Sequence, residues 1–197
     1  MNKPNNYDQT KTGTGFTPVV LGGHRGIIKA VEETQSKSGK DMIIVYVDLA
    51  AEDAQPRYFT EQYQNDTRSP KKWPYQATQY ILTEDSSGNT GRSFKAFCTS
   101  YEDSNGVSIR WGGNNWADQF KGKRIGIVFG EVEEEYNGEI KTRRRIRWFC
   151  DDHKALDADV PAKKFANQSA PVSSSQADPT DVWMPTDFSN GDELPFR

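Results

Sequence analysis

The dipeptide Asn137-Gly138 constrains this chain more than any other feature. Both residue types tolerate positive φ, so Asn-Gly between two alternating segments favours a two-residue type I′ hairpin. The flanking segments are residues 123–133 and 140–150. A two-residue turn fixes the register. Ile125 is expected opposite Cys150, Ile127 opposite Trp148 and Phe129 opposite Ile146, on an apolar face that reads as core. The other face pairs Gly126 with Phe149, Val128 with Arg147, Gly130 with Arg145 and Val132 with Arg143.

A second hairpin is expected upstream. Residues 25–33 alternate around Ile27, Ile28, Ala30 and Val31, and Ser38-Gly39-Lys40 supplies turn chemistry. Residues 41–49 then form a strand, with Ile43, Val45, Val47 and Leu49 expected inside. A third strand is expected over 57–63, while 64–89 is polar and aromatic-rich and shows no assignable pattern. Phe94, Phe97, Cys98 and Tyr101 fall at i, i+3, i+4 and i+7, one face of a helix over 92–101. A short helical turn is expected over 115–120.

Strand, strand, strand, helix, strand, strand is the element order of an OB-fold, a Greek-key barrel that binds oligonucleotides among its uses. The expected fold class is therefore mainly β: an OB-fold-like five-stranded β-barrel with one helix between strands 3 and 4, plus a disordered C-terminal tail. Residues 1–20 read as a flexible arm, 21–155 as the barrel domain and 156–197 as the acidic tail.

The formal net charge is −3, which alone argues against a polyanionic partner. Its distribution argues otherwise. Residues 170–197 hold Asp178, Asp181, Asp187, Asp192 and Glu193 against Arg197, so the remainder is close to neutral. Ser173-Ser174-Ser175 and the tail's prolines cannot bury enough apolar surface to offset ordering.

No apolar run is long enough for a membrane span, and residues 1–17 lack the apolar stretch of a secretory signal. A cytoplasmic location and no membrane partner are expected. Cys98 and Cys150 read as reduced, buried thiols. With only His24 and His153 beside them, no ligand spacing is present, so no metal and no cofactor are expected.

Two patterns point to nucleic acid. Lys141, Arg143, Arg145 and Arg147 alternate and so project from one strand face, across from Gly126 and Gly130. Four cations above a flat floor suit a phosphate backbone. The alternative is a solvated face partly paired with Glu131, Glu133 and Glu134. Aromatic rings interleaved with cations suit single strands, whose bases stack on rings. Tyr46 projects with Met42 and Ile44 from the second strand's outer side. Tyr58, Phe59, Tyr63, Trp73 and Tyr75 follow among Arg57, Arg68, Lys71 and Lys72. Tyr46, Tyr58 and Trp73 are the stacking candidates, each with a core position as the alternative.

Catalytic signals are weak. Glu139-Ile140-Lys141 matches the acid-x-Lys half of a metal-dependent nuclease motif, but no acid is placed to share a metal. Asp151-Asp152-His153 reads as a polar strand end, and Gly22-Gly23-His24-Arg25-Gly26 as the start of a strand. There is no Walker-type loop and no nucleophile with a base. No catalytic residue is expected.

Residues 29–49 (KAVEETQSKSGKDMIIVYVDL) and 122–149 (GKRIGIVFGEVEEEYNGEIKTRRRIRWF) resemble a domain family of phage replication modules. Some of its members look like phage single-stranded DNA-binding proteins. Residues 91–101 (GRSFKAFCTSY) fit the family's helix, and the resemblance spans 22–152. It implies an OB-like barrel, single-stranded DNA binding during phage replication or recombination in a host bacterial cytoplasm, and no enzymatic activity.

Asp192-Glu193-Leu194-Pro195-Phe196 separately resembles the acidic tip of bacterial single-stranded DNA-binding proteins. Such tips imply docking of replication or recombination proteins. Arg197 departs from that pattern by moving the carboxylate one residue on and adding a cation. The expected function is thus sequence-tolerant binding of single-stranded DNA with partner recruitment by the tip. Homo-oligomerisation is left open. The alternatives are a replisome adaptor that does not bind DNA, and a metal-dependent nuclease or recombination enzyme.

Overall fold

A computed structural model describes Lys3 and residues 17–166. Five strands form: β1 (Gly22–Gln35), β2 (Asp41–Leu49), β3 (Thr78–Leu82), β4 (Arg124–Tyr136) and β5 (Glu139–Cys150). They make one open sheet in the order β3-β2-β1-β4-β5, with each neighbouring pair antiparallel. Helix α1 (Tyr58–Asn65) follows β2, and helix α2 (Arg92–Asn105) lies between β3 and β4. The fold is mainly β and OB-like in strand order and helix position. No helix among the described residues is long and apolar enough to cross a membrane.

β1 is long because it serves two neighbours. Its first part pairs with β4 and its second with β2, around a bulge between Ile28 and Ala30. A bulge bends and twists a strand, which turns β1 from one partner to the other. At the bulge the Ile28 N–H donates to the Lys123 carbonyl at 2.9 Å.

The core lies inside this curl. Ile43, Val45, Val47 and Leu49 are buried with Ile125, Ile127 and Phe129, and Phe97 and Tyr101 of α2 pack against Phe120. Met42, Ile44 and Tyr46 are buried too. β2 is covered on both faces, which explains an apolar run without alternation.

The β4–β5 turn has the expected form, with Asn137 at φ 53° and Gly138 at φ 78°. The expected register holds from Tyr136/Glu139 to Phe129/Ile146. It then shifts by one at a bulge: Val128 pairs with Trp148, Ile127 with Phe149 and Gly126 with Cys150. The pairings expected beyond that point are therefore displaced. The cause is packing, because the shift turns Phe149 into the core and leaves Trp148 38% exposed.

The third strand expected over 57–63 is instead α1. Asp48 of β2 is buried, and its carboxylate accepts the Phe59 N–H at 2.9 Å and the Thr60 hydroxyl proton. The helix start is thus capped from a neighbouring strand rather than from within its own segment. β3 falls at Thr78–Leu82, inside the stretch that has no pattern in the sequence.

Both expected domain boundaries move outward. Val19 is fully buried, and the Tyr58 hydroxyl donates to the Thr17 carbonyl at 2.8 Å, so the arm's last residues belong to the fold. At the other end, residues 156–166 form a strap rather than tail. β4 outruns β1, whose first residue Gly22 pairs with Phe129. Beyond it the strap takes over: the Glu133 N–H donates to the Lys164 carbonyl at 2.8 Å, and the Lys164 N–H donates to the Glu131 carbonyl at 2.9 Å. These bonds satisfy backbone groups that β1 leaves open.

Candidate nucleic-acid interface

Strand parity defines an outer face. Met42, Ile44 and Tyr46 of β2 pair with Leu82, Tyr80 and Thr78 of β3. β3 and β5 are the sheet's two edges and do not pair with each other. A small cavity of about 110 Å³ lies where they approach, lined by Tyr75, Thr78, Tyr80, Glu134 and Arg145 among others.

Side chains bridge this gap. The Arg145 guanidinium lies 3.2 Å from the Tyr75 ring centroid. Its Nε donates to Glu134 Oε1 at 2.6 Å and its terminal nitrogen to Oε2 at 3.1 Å. Only 10% of the Arg145 side chain is exposed. Arg145 therefore closes the barrel seam through a bidentate ion pair and a cation–π contact.

The basic stripe is thus more differentiated than four equal cations. Arg143 lies 3.4 Å from Glu134 and keeps 47% of its side chain exposed. Lys141 pairs with Glu139 at 2.8 Å. Arg147, the extra residue of the bulge, donates to the Ala162 carbonyl at 2.9 Å. It lies across Gly130, where a Cβ would stand 2.8 Å from Arg147 Cγ and 2.5 Å from the Pro161 ring. The glycine is therefore a floor for the protein's own strap.

Two of the three stacking candidates are interior, and stacking on them is corrected accordingly. Tyr46 is buried and its hydroxyl donates to Glu32 at 3.1 Å. Burial, then the Glu32 charge, pushes its phenol well above the usual range. Trp73 is buried and donates from Nε1 to the Val47 carbonyl at 3.2 Å. Neither presents a ring face to a base. Tyr58 is half-buried, edge-on to Phe59.

Tyr58 nevertheless borders the right surface. With Arg68, Lys72, Tyr75 and Arg143 it lines an open cleft of about 930 Å³. Tyr75 is 41% exposed there. Behind it Tyr80 is half-buried, and burial with the neighbouring Tyr75 raises its phenol to about 12. Arg68 is held by Asp66 through a bidentate contact at 2.9 Å and 2.7 Å. The open cleft is therefore lined by Tyr58 and Tyr75, while Tyr80 lines only the small seam cavity behind Tyr75. Tyr75 belongs to the sequence's run of rings interleaved with Arg68, Lys71 and Lys72, whereas no sequence signal marks Tyr80.

Buried polar groups elsewhere are structural. Burial pushes the Cys98 thiol up to about 12 and that of Cys150 up to about 11, so neither is a reactive thiolate. His24 Nδ1 donates to Asp53 at 3.0 Å, and Nε2 donates to the Val20 carbonyl at 3.0 Å. Two donating nitrogens make this a buried imidazolium–carboxylate pair. Among the described residues no cluster of His, Cys, Asp or Glu is arranged to hold a metal. Asp192, Glu193, Leu194, Pro195 and Phe196 lie outside the described residues.

No protein-family model and no curated protein matches this chain.

Proposed function

We propose that the chain binds single-stranded DNA without strong sequence preference, as a non-enzymatic protein of phage replication or recombination in a bacterial cytoplasm. One observation carries this: at the seam of an OB-type sheet Tyr75, 41% exposed, stands with Arg143 and Lys72 in an open cleft, with Tyr80 behind it in the seam cavity. The face of strands 2 and 3 is where OB-folds take oligonucleotides. Tyr75, backed by Tyr80, stacks a base, while Arg143 and Lys72 meet phosphate. The acidic tip around Phe196 recruits replication or recombination proteins.

An adaptor role, with the barrel as scaffold, is favoured by a different observation. Glu134 neutralises Arg145, and Glu139 pairs with Lys141, so much of the stripe's charge is internally spent. Titration of a labelled oligo-dT at low and moderate salt, with a duplex of equal length as control, decides between them. Salt-sensitive binding to the single strand alone supports DNA binding. Absence of binding at low salt leaves the adaptor.

A further inference from the structure

A second aromatic surface lies in the connection between α2 and β4, away from the groove. Trp111 is the most exposed large apolar residue among those described, at 65%. Its position is nonetheless fixed. It stacks on Trp116 with centroids 5.8 Å apart and planes at 25°. Trp116 packs edge-on against the fully buried Phe120 at 4.7 Å. Phe94 of α2 meets Trp111 edge-on at 6.2 Å. The outermost ring is therefore rooted in the core by two others.

Gly112 and Gly113 follow at φ 83° and 87°, with no atoms where a Cβ would stand. These left-handed glycines reverse the chain immediately after Trp111, which lets Trp111 and Trp116 face each other. On the α2 side the depression holds Arg92 and Lys95 beside Phe94 and Trp111. Arg110 is exposed next to Trp111. Unlike Arg145, none of these three cations has a carboxylate partner among the described residues. Glu102 is the one acid in that lining, and its carboxylate accepts the Ile109 N–H at 2.8 Å. Glu33 and Asp41 lie on the opposite, sheet side of Trp111, so a polyanion approaches from α2.

A rigid, open indole among unpaired cations has the chemistry of a base-stacking site on a single strand. We propose that Trp111, supported by Trp116 and Phe94 and flanked by Arg92, Lys95 and Arg110, is a second single-stranded nucleic-acid contact, engaged by strands that extend past the groove. It rests on the DNA-binding function proposed above.

The test compares oligo-dT shorter and longer than the ~4–16 nucleotides that an OB-fold covers. Trp111→Ala binds the long strand about tenfold more weakly, the loss of one stacked base, and the short strand as wild type does. Arg143→Ala weakens both. An Arg92→Ala/Lys95→Ala double variant, whose changes lie on an exposed helix surface, reproduces the length-selective loss without touching the ring ladder. Wild-type affinity of both variants for the long strand overturns the second contact and leaves the groove standing. Failure of the unaltered protein to bind either strand overturns both.

Discussion

The Arg145 guanidinium stands 3.2 Å from the centroid of the Tyr75 ring, linking β5 to the turn ahead of β3. Backbone hydrogen bonds close neither edge of this sheet onto the other, so that contact and the Glu134 ion pair hold the seam. Removing one partner of a mostly buried ion pair costs about 3–5 kcal/mol where the other charge is stranded, and less here because Arg143 remains 3.4 Å from Glu134. Arg145→Ala is expected to lower the urea midpoint accordingly. An unchanged midpoint means that the seam needs no ion pair.

Arg143 has a different part. It keeps contact with solvent while facing the cleft. Arg143→Ala is expected to weaken oligo-dT binding and reduce the salt slope by about one, with little loss of stability. A slope equal to that of the unaltered protein removes Arg143 from the phosphate path.

The His24–Asp53 pair sets a pH dependence. Burial alone lowers the His24 pKa, but the Asp53 hydrogen bond and charge, with the Val20 carbonyl, raise it above its ordinary 6.5. Its contribution to stability is complete below that value and is lost as pH rises through the folded pKa. Asp53 runs the other way. Burial raises it, yet the His24 hydrogen bond and backbone donors hold it below its ordinary 3.8, so its contribution is lost as pH falls through the folded pKa. Unfolding free energy should therefore decline as pH rises above 6.5 in the unaltered protein and decline less in His24→Gln. Parallel pH profiles for the two contradict the charged pair.

Asp48 links β2 to α1. Asp48→Ala leaves the Phe59 N–H without its acceptor and is expected to cost about 1–2 kcal/mol, the worth of a helix cap. Asp48→Asn, which keeps an acceptor, should cost less. Equal stability of all three proteins would show that α1 starts without the cap.

What the sequence revealed and what it hid follow one physical divide. β2, the Asn137-Gly138 turn and α2 are specified by neighbours along the chain, through an apolar run, a φ requirement and a helical period. α1 depends on Asp48, eleven residues upstream of Phe59. The bulge at Arg147 depends on which ring, Phe149 or Trp148, the core admits. The strap exists because β4 outruns β1. None of these leaves a local pattern.

The site divides in the same way. Alternation was enough to put Arg143 and Arg145 on one face. It carried no information about Tyr75, which arrives from the other sheet edge and turns Arg145 into a closure. Tyr46 and Trp73 had the right side chains for stacking, but burial on β2's second face is decided by the fold as a whole.

The most direct test is photocrosslinking of an oligo-dT carrying 5-iododeoxyuridine, followed by peptide mapping. The predicted result is labelled peptides containing Tyr75 or Tyr80, lost when unlabelled single strand competes but not when duplex does. Crosslinks that spare both tyrosines, or none formed at low salt, would contradict a DNA-binding cleft at the β3–β5 seam.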